Sequence, residues 1–475
     1  MNMRLSAGAA VAALLAACSL APTYHAPALQ EVPEQYKEAG SWMPAAPADA
    51  QPRGAWWNTF GDPQLDALEQ RLSQANPDLQ AALARYQQAH AISGQAFSAL
   101  FPKLDIGASA VRELPSANAP NEPANPATVN VFTTGLNLAW EVDLFGRLRN
   151  QAAAARASAQ ASAADLAALD LSLQAELATD YFSLRGADSV VRLLDDSITQ
   201  YDTAWEQTRR RYDAGAAAAT DVDQADTLRQ NARAQLSAIR LQRAQLEHAI
   251  AVLLGETPAA FSLAPAPLTA EPPALDAGLS STLLQRRPDV ASAERAVAAA
   301  NARIGIARAA WFPVISLQSA AVGFESMATG SLFTRPSRYW SFGPGLDLPL
   351  LDAGGRVAIN RQARAAYDET VAGYRKTALT AYQEVEDALA SLHHLGDAQR
   401  ADEAAARSAA SAAYHADERY AAGVADYIEV TTTHTASLSA QSAALQTRTA
   451  RMNAAVALVR ALGGGWSPQQ DPPRP

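Results

Sequence analysis

Cysteine is almost absent from the 475 residues: Cys18 stands alone, so no intrachain disulfide forms. Charge is scarce as well. Asp, Glu, Lys and Arg make up 18% of the chain, where soluble domains carry roughly 25%. Much of the surface must therefore face something other than bulk water, or pack helix against helix. The charge that exists is acidic, 48 residues against 38 basic ones for a net −10, which argues against a nucleic-acid partner. No run of about 18 apolar residues follows the N-terminus, which excludes a transmembrane helix in the mature chain. Catalytic constellations are missing too. There is no Gly-x-Ser-x-Gly, and Gly463-Gly464-Gly465 lacks the Lys and Ser/Thr of a phosphate loop. His393 and His394 are neighbours, expected on different helix faces, unlike the i, i+4 pair of a zinc helix. His415 and His434 read as solvated. Neither enzymatic activity nor a bound metal is expected.

The lone cysteine has an informative context. Arg4, an apolar run through Leu14-Leu15 and small residues form a secretory signal, residues 1–17, too short to span a bilayer. Leu15-Ala16-Ala17-Cys18 resembles a bacterial lipobox, which implies cleavage before Cys18 and a covalent lipid on its thiol. With a second acylation at the new amino group the anchor is stable, which a single chain is not. Ser19 in the next position favours the outer membrane. Residues 18–61, rich in Pro and Ala, then read as an extended, lipid-anchored segment.

The remainder is written twice. Arg211-Tyr212-Asp213-Ala214-Gly215 returns as Arg419-Tyr420-Ala421-Ala422-Gly423, at an offset of 423 − 215 = 208. Leu254-Gly255 returns as Leu462-Gly463, and Arg240 and Arg243 as Arg448 and Arg451, at the same offset. A period of this kind governs the fold before any other signal. Each copy reads as a helical hairpin with a glycine turn, its tips at 211–222 and 419–430. The first repeat is expected over 62–255, a Pro-rich linker over 256–273, the second repeat over 274–463 and a tail over 464–475. The return helix of the first copy carries Leu236, Ile239, Leu246, Ile250 and Leu253 as a coiled-coil seam, with Arg243 in the remaining slot.

Ahead of each long helix the period changes to two. Leu104, Ile106, Ala108 and Ala110 alternate with Asp105, Gly107 and Ser109; Leu136 to Leu144 alternate with Asn137, Glu141 and Asp143. These runs predict a β-hairpin over 103–144, and the second copy predicts two strands over 314–350. Runs of about ten residues suit tilted transmembrane strands between lipid and a wet lumen; soluble sandwich strands carry the same alternation. Four strands cannot close a membrane barrel, because the smallest have about eight, and an open edge in lipid leaves backbone groups without partners. Two or three chains must then combine.

With the lipobox, Asp62-Pro63, Phe101-Pro102, Gly146-Arg147, the two Arg-Tyr-x-x-Gly tips and the ending Ala461-Leu462-Gly463-Gly464-Gly465-Trp466, the whole chain resembles the TolC-like outer-membrane efflux protein family, in its OprM-type lipoprotein branch. The resemblance implies a mainly α fold with transmembrane β. Four strands per protomer join a homotrimer's twelve-stranded β-barrel, continuous with a long periplasmic α-helical barrel. It implies the exit duct of a tripartite pump, anchored in outer-membrane lipid, with a periplasmic adaptor and an inner-membrane RND transporter as partners. Tyr212, Gly215, Thr220, Tyr420, Gly423 and Asp426 fall where the family docks its adaptor. Ile428, Glu429 and Asp221 fall at the periplasmic gate, and Thr432 stands where a second gate aspartate would be, so that acid ring is absent. Asp221 and Glu429 also suit helix N-termini without any gating role. A one-step protein-secretion duct shares the fold, although the lipobox and the ending count against it. A lipid-anchored coiled-coil scaffold would leave the four strands unexplained.

Overall fold

The computed structural model describes residues 19–28, 37, 54–118, 125, 127–273 and 287–464. The expected signal sequence, Cys18 with its expected lipid and nearly all of the tail lie outside the described residues. The chain divides into two compact units, Met1–Ala28 with Arg85–Ser162 and Ser292–Tyr374, and Leu29–Ala84 with Ala163–Ala291 and Arg375–Pro475.

The first unit is built on one antiparallel sheet. β1 (Lys103–Glu113) pairs with β2 (Val129–Val142), and β2 with β3 (Val314–Ser326). β3 then pairs with β4 (Arg338–Ser341) and, further along, with β5 (Pro344–Asp347). β4 and β5 are one rail broken at Phe342-Gly343, and Pro344, with no N–H to donate, opens the second piece. Register aligns Ile106, Leu136, Val322 and Trp340 in one row across the sheet. These side chains are apolar yet 80%, 41%, 56% and 78% exposed, so no core among the described residues covers them. The neighbouring row, Asp105, Asn137, Ala321 and Ser341, points the other way. On that second face Gly135 and Gly323 lie side by side, and a Cβ on Gly135 would meet the Val322 carbonyl at 2.7 Å. Glu141 and Asp143 close the corner into the next helix, where they pair with Arg147 at 2.6 Å and Arg149 at 3.3 Å.

Residues 19–28 lie along α5 (Pro288–Ala309). Arg308 donates to the Leu20 carbonyl at 3.2 Å, Asn301 to that of Pro22 at 2.8 Å, and Tyr24 donates to the Glu294 carboxylate. Glu294, Asn301 and Arg308 are seven apart, so one helix stripe holds the segment. Ser19, next to Cys18, donates to Asn150 at 3.0 Å.

The second unit is helical. Asp62 caps α1 (Pro63–Ala75), accepting from the Gln64 and Leu65 amides at 2.9 and 3.3 Å, with Pro63 at the first helical position. Leu65, Leu68 and Leu72 bury one face completely. Asn76 repeats the device for α2 (Pro77–Ser98). Lengths match between copies: α3 (Arg147–Asp213) and α6 (Gly355–Ala421) have 67 residues, α4 (Ala219–Leu253) and α7 (Tyr427–Ala461) 35, α2 and α5 22. Leu194, Tyr201, Leu228, Leu236 and Leu438 pack into one core where α3, α4 and α7 meet.

Arg243, the polar intruder in the seam, explains how the linker is held. Its guanidinium pairs with Asp188 at 2.6 Å and Glu247 at 3.2 Å, and donates to the Leu263 carbonyl at 2.6 Å. Asp188, 2% exposed, also pairs with Arg185 at 3.2 Å and accepts from the Ala266 amide at 3.0 Å. Arg185 donates to the Ala264 carbonyl at 2.7 Å. The counterpart of Arg240 acts on the far end of the linker: Arg448 pairs with Glu271 at 2.8 Å and donates to the Thr269 carbonyl at 2.9 Å.

Asp188→Ala leaves two guanidiniums without their buried anion and is expected to cost roughly 3–5 kcal/mol. It should lower the melting temperature and open residues 258–273 to protease, whereas Asp195→Ala, which breaks the exposed pair with Arg240, should do neither. A second test concerns Glu69, which is fully buried and has no hydrogen-bond partner for either carboxylate oxygen among the described residues. Burial, with the charges of Asp170 and Asp66, pushes its carboxyl from 4.5 up to about 9. The folded chain then keeps a proton that the unfolded chain releases, so stability is full below pH 4.5 and falls as pH rises toward 9. Glu69→Gln should raise the melting temperature by several degrees at pH 8 and hardly at all at pH 4; equal shifts at both would contradict this.

Candidate functional site

The candidate site is the pair of hairpin tips in the second unit. α3 and α6 end in the same turn. Gly215 has φ 74° and donates to the Tyr212 carbonyl at 2.8 Å, while Ala216 donates to that of Arg211 at 2.7 Å. Gly423 has φ 74° and donates to Tyr420 at 3.0 Å, while Val424 donates to Arg419 at 3.0 Å. Both are Schellman turns, whose left-handed residue favours glycine. A Cβ would touch nothing at either position, so the backbone angle and not space selects the residue.

Each tip has its own chemistry. Asp221, third in α4, reaches back to the Ala218 amide at 3.4 Å, which is half of a capping box because alanine has no side chain to answer with. Thr220 and Tyr212 are exposed. At the second tip Asp426 is the N-cap of α7 without a side-chain bond to the helix. Ile428 is 56% exposed in the first turn. Glu429 pairs with Arg419 at 3.1 Å, and Thr432 donates back to the Ile428 carbonyl at 2.7 Å. Arg419 therefore ties the end of α6 to the start of α7.

The two tips meet through Arg211, Tyr420 and Tyr427, of which sequence reasoning passed over Tyr427. The Arg211 guanidinium stacks on Tyr420, 4.6 Å from the ring centre. Tyr420 packs edge-on against Tyr427 at 5.1 Å. Tyr427 is buried among Ala225, Ala416 and Val430, with Trp205 beside them, and burial pushes its phenol up to about 12. The sequence carried a signal for it, since Tyr427 immediately precedes Ile428, the residue expected at the gate. The cluster forms part of the wall of a cavity of about 570 Å³, lined also by Tyr201, Thr208, Arg211 and His434. His434 sits 2.9 Å from Asp417 on α6, so it is partnered rather than simply solvated. His393 and His394 take successive, different directions on α6, yet a ring nitrogen of each and an Asp397 oxygen lie within 4.8 Å of one another.

The comparisons with known proteins decide the family. The model described as "Outer membrane efflux protein" matches the chain over residues 68–256 and again over 279–464. The chain belongs to the outer membrane efflux protein family. It is 33% identical over 471 residues to the antibiotic efflux pump outer membrane protein ArpC of Pseudomonas putida, covering 99% of this chain and 97% of that one. It is 32% identical over 458 residues to the pyoverdine export outer membrane protein OpmQ of Pseudomonas aeruginosa PAO1, covering 95% of each. Among solved structures, the outer-membrane channel OprN superimposes with a TM-score of 0.87 at 30% identity, covering 94% of this chain and all of that one. The efflux protein is thus a transport component of the outer membrane, and its relatives are channels, not enzymes.

Tyr427 joins the tips, so its removal should loosen them selectively. Tyr427→Ala should cost roughly 3–5 kcal/mol and speed amide exchange over 205–230 and 416–434, leaving β1 to β3 unchanged. Tyr427→Phe keeps the ring and should change little.

Proposed function

We propose that the chain is the outer-membrane exit duct of a tripartite multidrug or toxic-compound efflux pump, passing substrates delivered by an inner-membrane RND transporter through a periplasmic adaptor. The sheet is the observation that carries this reading. Its edges, β1 on one side and the broken β4/β5 rail on the other, have one neighbour each among the described residues. Its apolar row is bare. An open edge is forbidden in lipid, and three copies would close it as a twelve-stranded barrel, with the duplicated helical hairpins forming the periplasmic tube. A lipid on Cys18 fits this placement, because Ser19 is fastened to Asn150 on the helix turn that follows β2.

At the tube's end the exposed Ile428 and the Arg419–Glu429 pair occupy the gate. Asp221, in the other hairpin, is close enough to Tyr427 for its charge to act on that phenol, and Thr432 takes the place of a further acid. Opening by an iris-like shift would part α6 and α7 from the first tip, and the contacts to break are the Arg211–Tyr420 stack and the packing around Tyr427. The turns at Tyr212, Gly215 and Thr220 and at Tyr420, Gly423 and Asp426 offer the adaptor two similar footholds. Selection of cargo belongs to the transporter, since a duct passes what it is given.

The test is Gly423→Trp in a strain that depends on this chain for drug tolerance. Tolerance should fall to the level of the deletion while native mass spectrometry of the purified variant still shows three chains. Unchanged tolerance, or a wild type that is not trimeric, contradicts the reading.

A further inference from the structure

We propose that His393, His394 and Asp397 on α6 form a binding site for a borderline divalent transition-metal ion, Cu(II) ahead of Ni(II) and Zn(II). The placement follows from comparing the two copies. At the offset of 208, His393, His394, Gly396 and Asp397 stand where the first copy has Arg185, Gly186, Asp188 and Ser189. In the first copy that stretch clasps the linker through Arg185, Asp188 and Ser189. In the second, the aspartate of the clasp has become Gly396, and the linker is reached from α7 by Arg448 and Arg451 instead. The stretch has exchanged a clasp for two imidazoles and a carboxylate.

Adjacent residues on a helix point about 100° apart, but Asp397 is i+4 to His393 and i+3 to His394, so it neighbours both. The imidazole arms close the remaining gap. Their ring centres are 5.1 Å apart with planes at 70°, and one ligand atom from each of the three lies within 4.8 Å of the others. His393 Nε2 is 3.9 Å from Asp397 Oδ2. The other oxygen, Oδ1, is held by the Arg400 guanidinium, so Arg400 is a positioning residue that leaves Oδ2 turned toward the rings. A metal with bonds of about 2.0–2.1 Å needs ligand atoms roughly 3 Å apart. All three side chains are exposed, and small rotations bring them to that spacing.

The donor set names the ion class. Imidazole nitrogens suit Cu, Ni and Zn, while Ca and Mg require oxygens. Among the former, the general stability order places Cu(II) first. Three protein ligands leave positions for water, so the site is open and exchangeable.

The test uses the full chain purified in detergent without a histidine tag, titrated with copper(II) sulfate in a non-coordinating buffer. Calorimetry should show one saturable equivalent per chain, and electron paramagnetic resonance should show coupling to two imidazole nitrogens. His393→Gln and His394→Gln should each weaken binding about tenfold or more and reduce the coupling to one nitrogen, with unchanged circular dichroism. Asp397→Asn should weaken it without altering the nitrogen count. His434→Gln, at a separate histidine–carboxylate contact, should bind as the wild type does. Absence of saturable binding, binding unaffected by His394→Gln, or loss in His434→Gln would each overturn the proposal. It stands apart from the duct reading, because none of these readouts depends on transport.

Discussion

One buried carboxylate governs how the helical unit holds together. Asp188 lies between Arg185 and Arg243 and accepts the Ala266 amide as well. Burying an anion alone is costly, and its neighbours compensate only because both guanidiniums are themselves anchored to linker carbonyls. The network makes an irregular, proline-rich stretch part of the helical body. Without it, residues 258–273 would have backbone groups facing helices that offer no ladder to bond to. The second copy solves the same problem differently, with Arg448 and Arg451 gripping Glu271. Duplication therefore supplied matched helices and matched turns, while the contacts to the unduplicated linker diverged.

That divergence also separates the two tips. Both use glycine at φ 74° for the same reason, and both begin their return helix with a carboxylate in the first turn. In the first tip the acid folds back onto the backbone, whereas in the second it takes Arg419. The aromatic cluster of Trp205, Tyr420 and Tyr427 then locks the hairpins to each other with few charges, and a shift of one hairpin must break it as a whole. Packed aromatic contacts do not stretch, so such a cluster favours discrete arrangements over a continuum.

The features legible in the sequence were those set by local physics. The Schellman glycines, the Asp62 cap and the alternating strands each depend on a few neighbouring residues, and the repeat offset located the second set from the first. Arg243 was visible as an exception in an apolar seam, but its partner was not, because Asp188 is 55 residues away and nothing local marks it. The break in the fourth strand had a sign in Pro344. The arginine partners of Glu141 and Asp143 were not legible, because alternation reports which face a side chain takes, not which cation waits there. The approach of the His393 and His394 rings was not legible, because the 100° between successive helix positions describes Cβ directions, and imidazole arms reach further. Tyr427 was passed over since burial of one aromatic among several depends on the other hairpin.

The central claim is that several copies of this chain close an open sheet into a conducting duct that rests shut at the second tip. Single-channel recording of the purified protein in a planar bilayer tests it most directly, with Ile428→Ala and Glu429→Ala beside the wild type. The account predicts small, mostly closed conductance in the wild type that rises in both variants. A folded oligomer that conducts nothing in any form would contradict the duct, and a wild type already wide open would contradict the gate.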